Sequence, residues 1–227
     1  MMAVLDVVAW LFDAARWSGP DGIPTRVGEH LWMSGVALVG SMSIGLPIGL
    51  VLGHTGRGGT LAINVANVGR ALPSLALLAL ALPLSFSLGL GLGFWPTIVA
   101  LVPLGIPPIL TNTYLGIRAV DRDVIDSATA MGMRGRQVLR DIELPLAAPL
   151  VLAGIRNSAV AIVATATLGA IAASGGLGRY IVDGLARQDY QRLVVGAALV
   201  AVIAVMTELF FSGLERLARG KLRQGSS

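Results

Sequence analysis

The sequence predicts an all-α integral membrane protein with about five transmembrane helices. First, 55% of its 227 residues are hydrophobic and 13% are charged, about half the charged share of an ordinary soluble domain. Second, several apolar segments are long enough to cross a hydrocarbon core of about 30 Å. Third, 29 glycines and 11 prolines are spread along the chain, as is typical of kinked, closely packed membrane helices. This composition excludes a disordered chain and argues against a soluble enzyme.

The N-terminal segment, residues 1–30, is expected to form an amphipathic helix on the extracytoplasmic membrane surface. Asp6 and Asp13 are seven positions apart and share one helical face. A short sixth span is the alternative. The first residues lack the basic start and small-residue cleavage site of a secretory signal, so no cleaved leader is predicted. The apolar side chains available to the other side of this helix are Val7, Val8, Leu11 and Phe12.

The transmembrane domain is predicted over residues 31–213. The second of its apolar segments is 47 residues long, enough for most of two crossings, hinged around Ser85–Phe94. The first of that pair is expected to begin near Thr60. The four segments that carry the five predicted spans are Leu31–Gly53, Ala71–Ile117, Leu146–Ala173 and Leu193–Gly213. In the first span, glycines at spacing four permit close approach of another helix, at Gly45, Gly49 and Gly53.

Lysine and arginine residues beside the spans indicate the orientation, because cytoplasmic loops carry an excess of them. The richer side is predicted to be cytoplasmic, so the N-terminus lies outside and the C-terminus, with a basic tail over residues 214–227, lies inside. All four tryptophans fall near span ends on the predicted outer side, where amphipathic rings prefer the interface. The basic residues on the inner side are Arg57, Arg118, Arg122, Arg134, Arg136, Arg140, Arg216, Arg219, Lys221 and Arg223; those on the outer side are Arg16, Arg26, Arg179, Arg187 and Arg192.

The predicted cytoplasmic loop, residues 118–145, has the pattern of two short helices. Asp121 or Asp123 can cap the first helix, and a glycine ends it. The second helix is expected over residues 136–143, until Pro145 interrupts the pattern. Five arginines balance five acids in this loop, so its surface suits docking to a protein better than binding phosphates.

A spaced motif lies within this loop. Asp126-Ser127-Ala128 is followed after three residues by Gly132 and after nine more by Ile142-Glu143-Leu144-Pro145. This arrangement resembles the loop signature of type I ABC importer permease subunits: Glu-Ala-Ala, three residues, Gly, nine residues, Ile-x-Leu-Pro. Asp126 and Ser127 depart from that signature but keep the charge and the small size. The resemblance implies the type I ABC importer permease fold.

Four further stretches carry a second resemblance: Leu72–Leu78, Pro108–Tyr114, Leu152–Arg156 and Gly175–Gly178. They resemble the osmoprotectant branch of this family, which imports glycine betaine, choline, carnitine or proline betaine. The resemblance covers about residues 31–217. It implies a bacterial cell membrane protein that pairs with a second permease subunit, identical or different, and an extracytoplasmic solute-binding protein. Two cytoplasmic ABC ATPases would bind the ATP and Mg²⁺, with no cofactor in this chain.

The resemblance also implies roles for the loop residues. The first loop helix would dock on an ATPase through the segment Asp126, Ser127 and Ala128, and Gly132 would allow close backbone approach. The return into the membrane would be fixed by Ile142, Leu144 and Pro145. An ordinary amphipathic loop helix is the alternative. On the outer side, Ser174–Arg192 is the candidate surface for the binding protein, with a re-entrant turn as the alternative.

A few polar residues are predicted at membrane depth. Arg70 and Arg156 each lie about 15 Å from the cytoplasmic start of their spans, and Glu208 is the one acid expected to neutralise either. Two interpretations of these charged residues are open: a structural Arg–Glu pair, or a place on the translocation path. Pro73 and Ser74 would kink the second span, which suits a gate or simply helix packing.

Catalytic and metal chemistry is not expected in this chain. It has no cysteine and two histidines, so thiolate and zinc sites are excluded. The glycine-rich segment 53–60 has the outline of a phosphate-binding loop but has Gly59 where that loop needs lysine. An ion-gradient-driven carrier or channel acting without an ATPase is the alternative function. The sequence leaves open which solute is moved and which arginine faces the path.

Overall fold

The computed structural model describes residues 2–60, 63–64, 68–69 and 73–224, with side chains described between residues 7 and 220 of those ranges. Regular structure in these ranges is helical, which agrees with the predicted all-α class. The helices are α1 (Met2–Phe12), α2 (Ile23–Thr55), α3 (Ser74–Ser87), α4 (Phe94–Arg118), α5 (Arg122–Ala130), α6 (Gly135–Gln137), α7 (Leu144–Thr165), α8 (Gly178–Ala186) and α9 (Tyr190–Gln224).

Four helical segments in the described ranges are long and apolar enough to cross a membrane: α2, α4, the continuous segment Gly135–Ala172, and Tyr190–Gly220 of α9. The fifth predicted span is represented by α3, an apolar helix of 14 residues. The part of that span expected from Thr60 onward lies mostly outside the described residues. Four of the five predicted crossings are therefore matched by full-length helices.

The helix α2 is longer than the predicted span. Its 33 residues correspond to about 50 Å, more than the hydrocarbon thickness. It begins in the segment expected to stay outside the membrane, with Pro24 in its first turn, where a missing N–H costs nothing. It ends at Gly56, whose φ of 68° is left-handed. The helix therefore begins about two turns before Leu31, the predicted start of the span.

The helix α4 lies at the centre of the fold and packs against α2, α3 and α7. The predicted glycine stripe of α2 faces it. A Cβ atom built on Gly49 would lie 2.7 Å from Thr113 Cβ, and one on Gly53 would lie 2.7 Å from Ile117 Cβ. Only hydrogen fits at these positions, so the glycines set how closely α2 approaches α4.

The helix α1 extends about 16 Å, half the hydrocarbon thickness, and packs against α9. Trp10, expected at the membrane interface, is instead buried edge-to-face against Tyr180, with ring centroids 5.7 Å apart. Val7 and Leu11 contact the same cluster, whereas Val8 and Phe12 are exposed. We name this end of the bundle the α8 end, and the opposite end, which carries residues 118–145, the α5 end.

Pro73 does not kink a continuous span. Its ψ of 130° is extended, and a new helix begins at Ser74. Proline has no N–H to donate and fits the position just before a helix, so a break replaces the predicted kink. The predicted hinge at Ser85–Phe94 is confirmed: α3 ends at Ser87 and α4 begins at Phe94.

Pro145 does not end the second loop helix, contrary to the prediction. A π-helical turn over Val138–Glu143 joins α6 to α7 in one continuous helical segment. In an α-helix the proline ring collides with the carbonyl four residues earlier, here that of Asp141. The wider π turn directly before Pro145 relieves this collision, so the chain runs on into the membrane as a helix.

Candidate functional site

The loop helix α5 has well-defined ends. Asp121 is its N-cap, and its side chain accepts a hydrogen bond from the Asp123 backbone N–H at 3.0 Å. At the other end the Gly132 N–H donates to the Thr129 carbonyl and the Met133 N–H donates to the Ala128 carbonyl. This pair of bonds is a Schellman motif. The predicted helix, its cap and its glycine stop are therefore all present.

Gly132 serves backbone conformation rather than packing inside this chain. Its φ is +89°, a region that other L-residues rarely adopt. A Cβ atom built on it would meet nothing within 4 Å. The close approach to an ATPase expected at Gly132 stays a prediction, and within this chain the residue is needed because the chain turns sharply after α5.

The structure brings the two halves of the loop motif together. Ser127 and Ala128 of α5 face Ile142 of the π turn across a groove of about 330 Å³, which we name the loop groove. Ala128 is 1% exposed, whereas Asp126 and Ser127 are open to solvent. The complete lining of the loop groove is Asp123, Val124, Ser127, Ala128, Met131 and Ile142.

The remaining predicted loop residues lie where the segment enters the bundle. Leu144 is half-buried and Pro145 is exposed. A second groove of about 340 Å³ separates α5 from the ends of α4 and α7. The loop helix is thus flanked by grooves on two sides, and Asp126 on this helix is exposed to solvent. This arrangement can seat α5 against a partner surface.

A hydrogen bond joins the π turn to α2. The Glu143 side chain is 5% exposed, and its Oε2 lies 2.5 Å from Nδ1 of His54, in the last turn of α2. The sequence does not predict this contact, because 89 residues separate its members. A histidine at a helix C-terminus and an acid beside the loop motif were visible, but their contact depends on tertiary structure.

The predicted Arg156–Glu208 pair is present and belongs to a larger cluster. Arg156 Nε lies 3.5 Å from Glu208 Oε1, and its Nη1 lies 3.1 Å from Glu215 Oε2. Glu215, which is 7% exposed, also pairs with Arg219 one turn on. The expectation that Glu208 is the one available acid is therefore wrong. The helix α9 continues past Gly213, which brings Glu215 onto the face that meets α7.

The other residues predicted at membrane depth lie at the start of α3 or outside the described residues. Arg70 lies outside the described residues. Pro73 is exposed and Ser74 is half-buried at the start of α3. A role for Pro73, Ser74, Arg156 or Glu208 in the translocation path stays a prediction.

At the α8 end, the glycine-rich stretch Gly175–Gly178 forms a packed turn. All four residues are buried, and a Cβ atom on Gly178 would lie 2.1 Å from the Thr167 carbonyl oxygen. These residues are therefore packed inside this chain, in a turn that we name the re-entrant turn, and the docking surface expected over residues 174–192 stays a prediction. Within residues 174–192 the exposed side chains come later, and include Leu185 and Tyr190.

An ion-pair network fixes this turn to α2. The Glu29 carboxylate accepts hydrogen bonds from the Gly176 N–H and from Arg26 Nη1, each at 2.7 Å. Arg26 also pairs with Asp21, and this hydrogen bond lowers the pKa of the Asp21 carboxyl below its ordinary value. The Tyr180 hydroxyl donates to the Asp21 carbonyl. The re-entrant turn is thus held against the start of α2 by charged and backbone contacts.

Comparisons with known proteins agree with this architecture. The chain is 37% identical to the glycine betaine/carnitine/choline transport system permease protein OpuCB of Bacillus subtilis, over 88% of this chain and 90% of that protein. It is 36% identical to the carnitine transport permease protein OpuCD of Listeria monocytogenes, over 93% of both chains.

Two solved structures share the fold. One, the methionine ABC transporter MetNI in an inward-facing conformation, gives a TM-score of 0.70 at 22% identity, over 84% of this chain and 93% of the other. An amino acid ABC transporter gives 0.71 at 18% identity, over 93% and 97%. A family model for the binding-protein-dependent transport system inner membrane component matches residues 45–220. This chain therefore belongs to the family of binding-protein-dependent transport system inner membrane components.

Proposed function

We propose that this chain is the membrane-spanning subunit of an ATP-driven importer for a compatible solute, of the class of glycine betaine, choline, carnitine and proline betaine. Its curated relatives are permeases named for three of these compounds, and the chain covers most of their length. Its work is gating and coupling, with no catalytic step of its own. Its location is the inner membrane of a bacterium.

The observation that carries this proposal is the exposed loop helix with its grooves. α5 is capped at both ends, neutral in overall charge together with its loop, and open along Asp126 and Ser127. Such a surface suits docking to a protein. Two cytoplasmic ABC ATPases are the proposed occupants, with ATP and Mg²⁺ bound by them. Closure of the ATPase pair would move α5 and the helices attached to it.

The proposed assembly has a second permease subunit beside this chain and a solute-binding protein at the α8 end. The α5 end is placed in the cytoplasm, because basic residues are concentrated beside the spans there. The re-entrant turn and its ion pairs then face the extracytoplasmic side. We assign selectivity mainly to the binding protein, because tryptophans and tyrosines in this chain lie near span ends rather than in a cage within the spans.

The test is uptake by a reconstituted complex. The permease is co-expressed with the ABC ATPase and solute-binding protein encoded beside it, purified as a complex and placed in vesicles with ATP trapped inside. Radiolabelled glycine betaine, choline, carnitine and proline betaine are added outside. We expect uptake of at least one solute that requires ATP and the binding protein, and that survives ionophores which collapse ion gradients.

A different outcome identifies the alternative. Uptake by the permease alone, abolished by ionophores and independent of ATP, would show an ion-gradient-driven carrier and contradict the proposal. An empty-vesicle control and a complex with an ATPase that cannot hydrolyse ATP set the background for both arms.

A further inference from the structure

The contact between His54 and Glu143 connects two parts of the molecule that the chain order keeps apart. His54 lies in the last turn of α2, where the helix dipole favours a positive group. Glu143 lies on the π turn and is almost fully buried. A buried polar group is costly unless it is hydrogen-bonded, and His54 supplies such a bond to Glu143. The carboxylate accepts the hydrogen bond and Nδ1 donates it.

The neighbours of Glu143 belong to the loop groove. Ile142, the preceding residue, lines that groove against α5. The helical segment passes His54 a second time at its start, because a Cβ atom on Gly135 would lie 3.3 Å from His54 Nε2. One side of the π turn thus contacts α5 and another contacts the end of α2.

On the α2 side, the His54–Glu143 contact is attached to a closely packed pair of helices, α2 and α4. α2 and α4 pack closely along the glycine stripe, where Gly49 lies against the Thr113 side chain and Gly53 against the Ile117 side chain. A displacement applied to the last turn of α2 therefore moves α2 and α4 together, since closely packed helices shift as units.

We propose that His54 and Glu143 are positioning residues that transmit movement of the loop segment to the α2–α4 pair. The inference rests on the proposed function, since it needs an ATPase to move α5. The pair acts as a permanent link: it keeps the π turn attached to α2 while the spans rearrange. Without it, movement of α5 reaches the α2–α4 pair less directly, through residues 119–121, which join α4 to α5.

The first experiment measures solute molecules imported per ATP hydrolysed by the reconstituted complex. We expect His54→Ala to lower this ratio by about three- to tenfold, with ATP hydrolysis largely kept. Glu143→Gln keeps a hydrogen-bond acceptor for His54 and should lower the ratio less than Glu143→Ala does. A merely structural role would lower uptake and ATP hydrolysis in parallel, and that result would overturn the inference.

Two control variants lie beside the pair. Thr55→Ala changes the residue next to His54. The Thr55 hydroxyl donates to the Val51 carbonyl and accepts from the Arg57 N–H at 3.5 Å, so both of its bonds are local. Asp141→Asn removes an exposed acid on the same π turn as Glu143. Both should keep the wild-type ratio. Equal loss in these controls and in the pair variants would show a general sensitivity of the region and would count against the inference.

A cross-link provides an independent test, because the native chain has no cysteine. In a His54→Cys/Glu143→Cys chain the ratio should fall, and a short thiol-to-thiol reagent should restore it in the cross-linked fraction identified by mass spectrometry. An unchanged ratio before cross-linking, or no recovery in verified cross-linked protein, contradicts the permanent link. A wild-type complex that imports none of the solutes contradicts the proposed function instead, so the two failures are distinguishable.

Discussion

At the scale of single residues, the loop depends on one backbone conformation. Gly132 has a φ of +89° and closes the Schellman motif after α5. Any side chain with a Cβ atom is strained there, by about 1–2 kcal/mol for most residues, and asparagine tolerates the left-handed region best. Because a Cβ atom there would have no neighbour within 4 Å among the described residues, that strain is the main intramolecular cost of substitution.

We therefore predict that Gly132→Arg leaves membrane insertion intact but uncouples ATP hydrolysis from uptake, since it changes the exit of α5 and adds bulk to a docking surface. Gly132→Asn should retain most of the coupling. The measurements are the amount of permease in the membrane fraction and the uptake per ATP in vesicles. Normal uptake by the arginine variant would refute the role assigned to this turn.

The charge cluster between α7 and α9 also depends on single residues. Arg156 contacts both Glu208 and Glu215, and Glu215 is the more buried of the two acids. Removing the arginine leaves Glu215 with Arg219, whose side chain is 62% exposed. The buried acid would then keep only a partner that is mostly in solvent.

For Arg156→Ala we expect a loss of about 1–3 kcal/mol in stability, the range for a buried group left without its main partner. Arg219→Ala is the matched control and should cost less than about 1 kcal/mol, as exposed pairs do. Thermal unfolding of the purified permease in detergent checks both. Equal losses in the two variants would mean that Arg156 does not hold α7 to α9.

At the scale of elements, the approach of α2 to α4 is set by glycine. A Cβ atom at Gly49 would lie 2.7 Å from Thr113 Cβ, so Gly49→Ala should destabilise the permease by pushing the helices apart, by about 1–3 kcal/mol. Gly35, in the same helix, has open space around it. Gly35→Ala should be neutral or stabilising, because alanine favours the helix by about 1 kcal/mol. Unfolding of both variants in detergent measures the difference. Equal effects would contradict the close contact between α2 and α4.

The contact between α2 and α4 also shows which features of the fold the sequence could predict. Glycines at spacing four lie on one helical face whatever surrounds them, so Gly45, Gly49 and Gly53 predicted a close contact correctly. The cap and stop of α5 are also local and were predicted. The π turn before Pro145 was not, because proline alone argues for a helix end. The contacts of Glu215 and of His54 with Glu143 depend on where distant helices lie, which no local pattern records.

At the scale of the whole molecule, the bundle has two chemically different ends. The α5 end carries the loop helix, the grooves and the last turns of α9, while the α8 end carries α1, the re-entrant turn and the ion pairs around Arg26. Long helices join the ends, so a displacement at one end can reach the other. The function proposed here requires the α5 end to face the ATPases and hence the cytoplasm.

This orientation predicts which end is labelled from outside. Thr129 on α5 and Gln191 at the start of α9 are both exposed, and the chain has no cysteine of its own. In intact cells expressing the permease alone, a membrane-impermeant maleimide should react with Gln191→Cys. Thr129→Cys should react only after the membrane is permeabilised. The excess of basic residues beside the α5 end favours this result, because cytoplasmic loops retain such charges. Labelling of Thr129→Cys in intact cells would show that the bundle has the opposite orientation. The loop helix would then lie outside the cell, where no cytoplasmic ATPase could reach it.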